Sequence, residues 1–391
     1  MKPKWLRAGL SMCFWITAGL GIGAGETRGT SVLGTPAAAC VAPAERGDGL
    51  TVGTPAEMRF DASTLCALLS GVARGGDNIH SVLVLRHGRL VAELYLPGRD
   101  QTIWSLWKTH TGFGPDSLHD MRSTTKSVVA LLYGILLARG DVPALDTSVA
   151  SLYPGIAVPG RGEKAAIRIR DLMTMSAGLA WQEASPVRRL MGPSDELGLL
   201  WRTDPYGYVF SFRAESKPGT QFVYSGGATA LIADIMTRST GRDLIEIARS
   251  ELFEPMGIDG WTWTRNLWGK PLAAAGLRLK PRDLARIGLM LLDRGRWQGR
   301  QLVPAAWISE ATRPHISAGP DDAYGYQFWT RDVNWHGTRV HAAATVGNGG
   351  QTLVVVPSLD LAIVTTAGNY GTLEGLKRVR DLEQEIIETA L

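Results

Sequence analysis

Cysteine is scarce in this chain, three in 391 residues, at positions 13, 40 and 66. So small a number excludes a disulfide scaffold, and no paired-cysteine spacing suggests a structural zinc site. The seven histidines are dispersed and never fall in a His-Glu-x-x-His pattern, which removes zinc-protease chemistry. No Gly-x-Ser-x-Gly occurs, so the nucleophile elbow of one large hydrolase class is excluded. Long runs of like charge are missing. The 41 basic and 37 acidic residues leave a net charge of only +4, and a mixed-charge surface of this kind argues against nucleic-acid binding. Heptads and fixed-period repeats are absent. No metal or organic cofactor is implied, and no stable protein partner is evident.

Long hydrophobic runs are almost missing as well. The exception is Ala8 to Ala24, which carries no charge, follows Lys2, Lys4 and Arg7, and is trailed by small residues. Membrane-spanning helices need about 20 apolar residues. The pattern predicts an export signal over residues 1–25, with retention as an N-terminal membrane anchor as the alternative. The chain is therefore expected to be periplasmic or secreted. Cleavage would leave Cys40 and Cys66. An oxidising compartment permits a disulfide between them, but nothing in the sequence fixes the position of Cys40, and two unpaired thiols are the expectation. The tract Ala37-Ala-Ala-Cys40 lies too far beyond the apolar run to read as a lipidation site. Residues 26–57 are rich in Gly, Ala, Thr and Pro and read as a flexible linker, so the folded domain is expected over residues 58–391.

What is present is enough apolar residues, 45% of the chain, to bury a large core. "SVLVLRHGRLVAELYL" places two β-rich runs around His87-Gly88, a hairpin signal. From residue 123 to 139 the apolar positions Val128, Val129, Leu132, Ile135 and Leu136 recur at helical spacing, and Gly140 stops them. "GGATALIADIMTRSTG" repeats that pattern and ends at Gly241. β-Branched runs return in "QTLVVVP" and "DLAIVTTAG", joined by a turn over Pro357 to Asp360. An amphipathic helix over Leu373 to Leu391 closes the chain. Strands at both ends with helices between predict an α+β fold, with one sheet built from the two chain ends and a largely helical insertion beside it. The cleft between such layers is a usual place for a small-molecule site.

Two Ser-x-x-Lys pairs occur, Ser105-Leu-Trp-Lys108 and Ser123-Thr-Thr-Lys126. One helical turn brings residues i and i+3 together. Ser123 and Lys126 open a predicted helix, where unpaired N–H groups and the helix dipole favour a developing oxyanion. Burial of the lysine stem disfavours its ammonium form, so a neutral amine becomes available to activate the hydroxyl. Ser105 precedes "THTGFGPDS", whose glycine and proline punctuation predicts a loop with no helix to align the pair.

Around "MRSTTKSVVALLYGILLARG", the segments "IRIRDLMTMSAGLAW", "KPGTQFVYSGG", "ELFEPMGI", "AAAGLRLKPRDLARIGLMLLDRGRWQGRQLVP", "YGYQFW" and "GNGGQTLVVVPSLDLAIVTT" follow in order. The ordered set resembles the class C β-lactamase-related serine hydrolases, within them the 6-aminohexanoate-dimer hydrolase and family VIII esterase branch, over roughly residues 75 to 385. The resemblance implies the penicillin-recognising fold, an antiparallel sheet flanked by helices with an all-α region. It makes Ser123 the nucleophile and Lys126 its partner. Tyr224 matches the tyrosine of the Tyr-x-Asn motif, and Gly226 stands in place of its asparagine. A phenol beside a lysine ammonium can have its pKa lowered and can then relay a proton. Asn348-Gly349-Gly350 falls at the third motif as a substrate-binding stretch, without the cation many relatives carry there. The resemblance places the oxyanion donors at the backbone N–H groups of Ser123 and Gln351. Some of the thirteen tryptophans, in the stretches Trp201 and Trp261 to Trp268, are expected to line an apolar pocket. The activity implied is hydrolysis of a small-molecule ester or linear amide through an acyl-enzyme on Ser123. The alternatives are a D-alanyl-D-alanine carboxypeptidase or weak β-lactamase, and a non-catalytic binding module on the same fold.

Overall fold

The computed structural model describes residues 42–155, 161–183, 194–202 and 204–391. The predicted export segment 1–25 and residues 26–41 of the linker lie outside them. The hairpin at His87-Gly88 joins strands β2 (Ile79–Arg86) and β3 (Arg89–Tyr95). Both turn residues have positive φ, 50° and 73°, the backbone that matches the twist of a two-residue hairpin. Short β1 (Thr51–Val52) lies parallel to β3. Six further strands come from the C-terminal third: β4 (Ile316–Ser317), β5 (Ala323–Tyr324), β6 (Trp329–Trp335), β7 (Thr338–Gly347), β8 (Gln351–Val356) and β9 (Leu361–Ala367). They pair in the order β1-β3-β2-β9-β8-β7-β6-β5-β4, antiparallel throughout except at β1–β3. The two chain ends thus meet at the β2–β9 seam, as the strand distribution predicts.

Side-chain alternation divides the sheet's two faces. Val82 and Val84 join one apolar cluster, with α1 (Ala62–Arg74) and α6 (Leu373–Glu388). Leu83 and Leu85 join the other, with α2 (Thr124–Arg139), α4 (Gly226–Thr240) and α5 (Pro281–Leu292). Helix α3 (Asp195–Trp201) belongs to the helical region on this second face. Helix α2 is the centre of that layer. Thr124 through Leu136 are all buried, on every side of the helix, and Gly140 caps it in the left-handed conformation.

Two expectations from the sequence are corrected here. The folded body begins before residue 58. Leu50 is buried in the core, residues 51–52 form β1, and Asp48 accepts from Arg282 Nε at 2.6 Å. A soft composition hid these anchors because one apolar residue and one carboxylate suffice to tie down a short segment. The cysteine reading also changes: Cys66 on α1 is disulfide-bonded, not a free thiol. Both remaining cysteines lie outside the described residues.

Gly134 marks how tightly α2 is packed. A Cβ at this position would fall inside the indole of Trp307. Gly134→Ala is therefore expected to destabilise the protein by about 1–3 kcal/mol through overpacking, although alanine is the better helix former by ~1 kcal/mol. Urea denaturation checks this; a stabilised variant would show that Trp307 gives way freely.

Candidate active site

Ser123 sits at the N-cap of α2 with φ −66° and ψ −11°, and its side chain makes no capping hydrogen bond. The hydroxyl is instead engaged one turn on, where Lys126 Nζ donates to Ser123 Oγ at 2.9 Å. The preceding residue, Arg122, has φ 49°, a left-handed conformation that costs a residue with a Cβ. This turn aims the chain into the helix directly behind the serine. Thr124 and Thr125 N–H groups are taken by Met121 and Arg122 carbonyls.

Lys126 is buried, 1% exposed. Besides the serine it donates to Ala274 O at 3.1 Å and Glu183 Oε1 at 3.4 Å, and Glu196 Oε1 lies 3.8 Å away. Burial alone would favour the neutral amine. The Glu183 carboxylate, with Glu196 beside it, outweighs burial and holds the ammonium well above the usual lysine range. This corrects the expectation of a neutral lysine: the sequence showed the burial but not the carboxylates, which enter from residues 57 and 70 positions away.

Tyr224 comes from the loop that leads into α4. Its ring stacks on Trp329 with centroids 5.8 Å apart and meets Tyr324 edge-on at 6.3 Å. Lys126 Nζ lies 5.0 Å from the ring centroid. Burial pushes the phenol up from its ordinary value, while Lys126 and a hydrogen bond with Ser123 pull the other way. Burial wins, so the resting group is a phenol and not the phenolate that a lysine neighbour alone would give. Ser123, Lys126 and Tyr224 are therefore brought together around one hydroxyl. Ser105 is not: its hydroxyl donates to Trp107 O within an exposed loop.

Gln351 opens β8, opposite Gly347. Its carbonyl accepts from Thr124 Oγ1 at 3.0 Å, which ties the start of this strand to the first residue of α2. That places the Gln351 backbone beside the helix N-terminus, where the oxyanion donors are expected. Gly349 and Gly350 have φ of 101° and 98°. A Cβ on the first would strike the Tyr370 ring, and on the second it would press Val379 and Ala367. The protein's own side chains thus already require glycine at both positions. Asn348 Oδ1 accepts the Gly371 N–H at 2.7 Å, so its amide oxygen is occupied in holding the loop after β9.

Two carboxyl groups escaped the sequence reading. Glu183 accepts from Trp181 Nε1 at 2.9 Å and from the Gly226 N–H. A Cβ on Gly226 would meet Glu183 Oε2 and Glu196 Oε1, each at 3.1 Å. The carboxyl pair stands where the side chain of a Tyr-x-Asn motif would begin. Burial and the Glu183 charge push Glu196 up to about 7, against the pull of Lys126. No spacing rule links residues 183 and 196 to Lys126, and only the glycine at 226 hinted that something else fills that space.

A cavity of about 150 Å³ opens beside the lysine. Glu196, Arg122 and Ala274 line it on the site's side, and Leu199, Leu200 and Leu272 among its apolar walls. Trp201 and Trp268, adjacent in sequence to this lining, are 62% and 56% exposed, and Trp268 Nε1 donates to Trp201 O at 3.3 Å. Trp261 instead packs on Phe253. The expected tryptophans thus divide between the cavity's margin and the core. Among the described residues, no group of three or more His, Cys, Asp or Glu side chains could hold a metal ion.

Comparison with known proteins agrees with this architecture. The chain is 26% identical over 300 residues to the 6-aminohexanoate-dimer hydrolase of Paenarthrobacter ureafaciens, covering 72% of this chain and 70% of that protein. It is 27% identical over 204 residues to the esterase/beta-lactamase LipL of Mycobacterium tuberculosis, covering 51% and 44%. Among solved structures, a putative 6-aminohexanoate-dimer hydrolase from Bacillus anthracis superposes with a TM-score of 0.65 at 20% identity, over 80% of this chain and 79% of that one. At that identity the likeness speaks for the fold. The family model described as Beta-lactamase matches residues 71–382, and the chain belongs to that family, as a serine hydrolase with the β-lactamase-like fold the sequence predicts.

Proposed function

We propose that this protein cleaves neutral, apolar esters through an acyl-enzyme on Ser123. The observation that carries the reading is the grouping around one hydroxyl: Lys126 Nζ donates to Ser123 Oγ at 2.9 Å and lies 5.0 Å from the Tyr224 ring centroid. Ser123 Oγ attacks the carbonyl carbon, and its proton leaves through Lys126 and Tyr224. The developing oxyanion is held by the backbone N–H groups of Ser123 and Gln351 at the start of α2 and β8. Tyr224 then delivers a proton to the leaving oxygen. Water repeats the sequence in reverse to free Ser123.

The apolar wall of Leu199, Leu200 and Leu272 favours an uncharged acyl or leaving group, while Arg122, Glu196 and Lys270 supply the cavity's charged side. Asn348 brings no cation to the third motif, and its amide oxygen is already used by Gly371. Both features argue for esters over β-lactams or peptides ending in a carboxylate. Two relatives are named as a 6-aminohexanoate-dimer hydrolase and an esterase/beta-lactamase, and the esterase in the second name supports ester cleavage. Export to an oxidising compartment is part of the proposal, supported by the pattern of residues 1–25 and by the disulfide at Cys66.

The test has two parts. A fluorophosphonate probe should label the wild-type protein, with the adduct mapped by mass spectrometry to the peptide bearing Ser123. kcat/KM should then fall in the order p-nitrophenyl butyrate, linear amide, nitrocefin. A wide preference for nitrocefin would overturn the esterase assignment.

A further inference from the structure

We infer that the Glu183–Glu196 carboxyl pair is the proton store of this site, receiving a proton from Lys126 as Lys126 takes the hydroxyl proton of Ser123. The inference rests on the reading of Ser123 as nucleophile given above.

The geometry leaves the relay otherwise incomplete. Lys126 is an ammonium whose donors reach Ser123, Ala274 O and Glu183, so it has no lone pair for an incoming proton. Tyr224 is a neutral phenol at rest. Neither group can deprotonate a hydroxyl until a proton has first gone elsewhere. The neighbour able to receive it is Glu183 Oε1, 3.4 Å from Nζ, backed by Glu196 at 3.8 Å. Glu183 is fixed for this by the Trp181 indole and the Gly226 N–H, and Glu196 hydrogen-bonds to it. Gly226 makes room for the arrangement, since a Cβ there would press both carboxyls at 3.1 Å.

The step balances without an added reactant. The Ser123 O–H bond breaks and its proton passes to Nζ. One Nζ proton passes to the carboxyl pair, and Oγ bonds to the substrate carbon. When the tetrahedral species collapses, the C–O bond to the leaving group breaks. The proton returns from the pair through Lys126 and Tyr224 to the leaving oxygen. The pair acts through Lys126 and touches no reacting atom, so its members are positioning residues.

A store must be empty to receive. The charged and titratable groups facing Glu196 are Glu183, Lys126, Arg122 and Tyr224, with Lys270 also lining the cavity. Burial and Glu183 raise Glu196 to about 7 against Lys126 and Arg122. Below that pH Glu196 holds its proton and shares it with Glu183, which weakens Glu183 as an acceptor; above it the two carboxylates can share the incoming proton. Acylation should therefore rise with pH through a limb near 7.

The experiment compares kcat/KM for p-nitrophenyl butyrate from pH 5.5 to 9 in wild type, Glu196→Gln and Glu196→Asp, with fluorophosphonate labelling alongside. Gln mimics the full pair permanently. Glu196→Gln should lose the limb near pH 7 and fall about 10-fold or more at pH 8, approaching the lower range for a displaced acid–base group. Glu196→Asp should restore part of the limb. Should Glu196→Gln fail to fold by circular dichroism, Glu196→Asp carries the test, its limb shifting as the carboxyl moves. A wild-type limb and rate retained in Glu196→Gln would overturn the proton store while leaving Ser123 as nucleophile. Wild-type protein that neither labels nor turns over esters would remove the reading of Ser123, and the store with it.

Discussion

Ser123→Ala is expected to abolish both fluorophosphonate labelling and ester turnover, while Ser105→Ala leaves both near wild type. The two serines have the same i+3 lysine, so sequence spacing treats them as equals. Structure separates them by what surrounds the hydroxyl. Ser123 Oγ is held by Lys126 and Tyr224 at the mouth of a buried helix. Ser105 Oγ lies in a loop between two short strands and donates to Trp107 O. Trp107 and Leu106 beside it are 77% and 85% exposed, and the hydroxyl's hydrogen bonds run to the Trp107 backbone. Removing a nucleophile of this kind typically leaves only what binding and the oxyanion donors supply. The loss should appear in kcat with thermal stability unchanged, because the Ser123 side chain caps nothing. Labelling that survives Ser123→Ala would sink the mechanism.

The sequence carries some parts of this molecule more plainly than others, for physical reasons. Hairpin β2–β3 and helices α2, α4 and α6 were legible because each combines a local apolar period with a local stop signal, His87-Gly88, Gly140 and Gly241 among them. Hairpin β6–β7 was missed. Its strands read WTRDVNW and TRVHAAATVG, polar and alanine-rich enough to blur alternation, although His336-Gly337 at its tip repeats the positive-φ pair of the first hairpin. The site divides the same way. Ser123 and Lys126 are local to one helical turn and announce themselves. Tyr224 and Gln351 needed the family resemblance, since nothing local ties a tyrosine before a helix to a serine a hundred residues away. Glu183 and Glu196 were invisible to both. They act by filling space vacated at Gly226, and a missing side chain in one segment does not say which other segment moves in. Their charge reverses the protonation state that burial alone would give Lys126.

Lys126→Met should lower kcat by at least about 10²-fold, the scale of a positioned acid–base group, and should also destabilise the fold. At 1% exposure this lysine lies inside the core. Methionine fills much of the same volume, so packing is nearly conserved and the charge is what disappears. Glu183 and Glu196 then face each other, Tyr224 and Ser123 with no cation between. Breaking a buried ion pair from one side costs about 3–5 kcal/mol when the remaining charge stays ionised. Here the carboxyls have an escape, because they can take up protons. In the folded variant the pair binds protons at pH values where the unfolded chain, with ordinary carboxyls near 4.3, has released them. Stability must then fall as pH rises above that value, since the native state holds more protons than the unfolded one. Wild type shares this slope through Glu196, up to about 7; the variant should carry it more steeply and to higher pH. The gap in Tm between wild type and Lys126→Met is thus expected to be small at pH 5 and large at pH 8. Thermal melts at the two pH values measure it directly. A gap that is constant with pH would mean that the carboxyl pair does not depend on Lys126 for its charge.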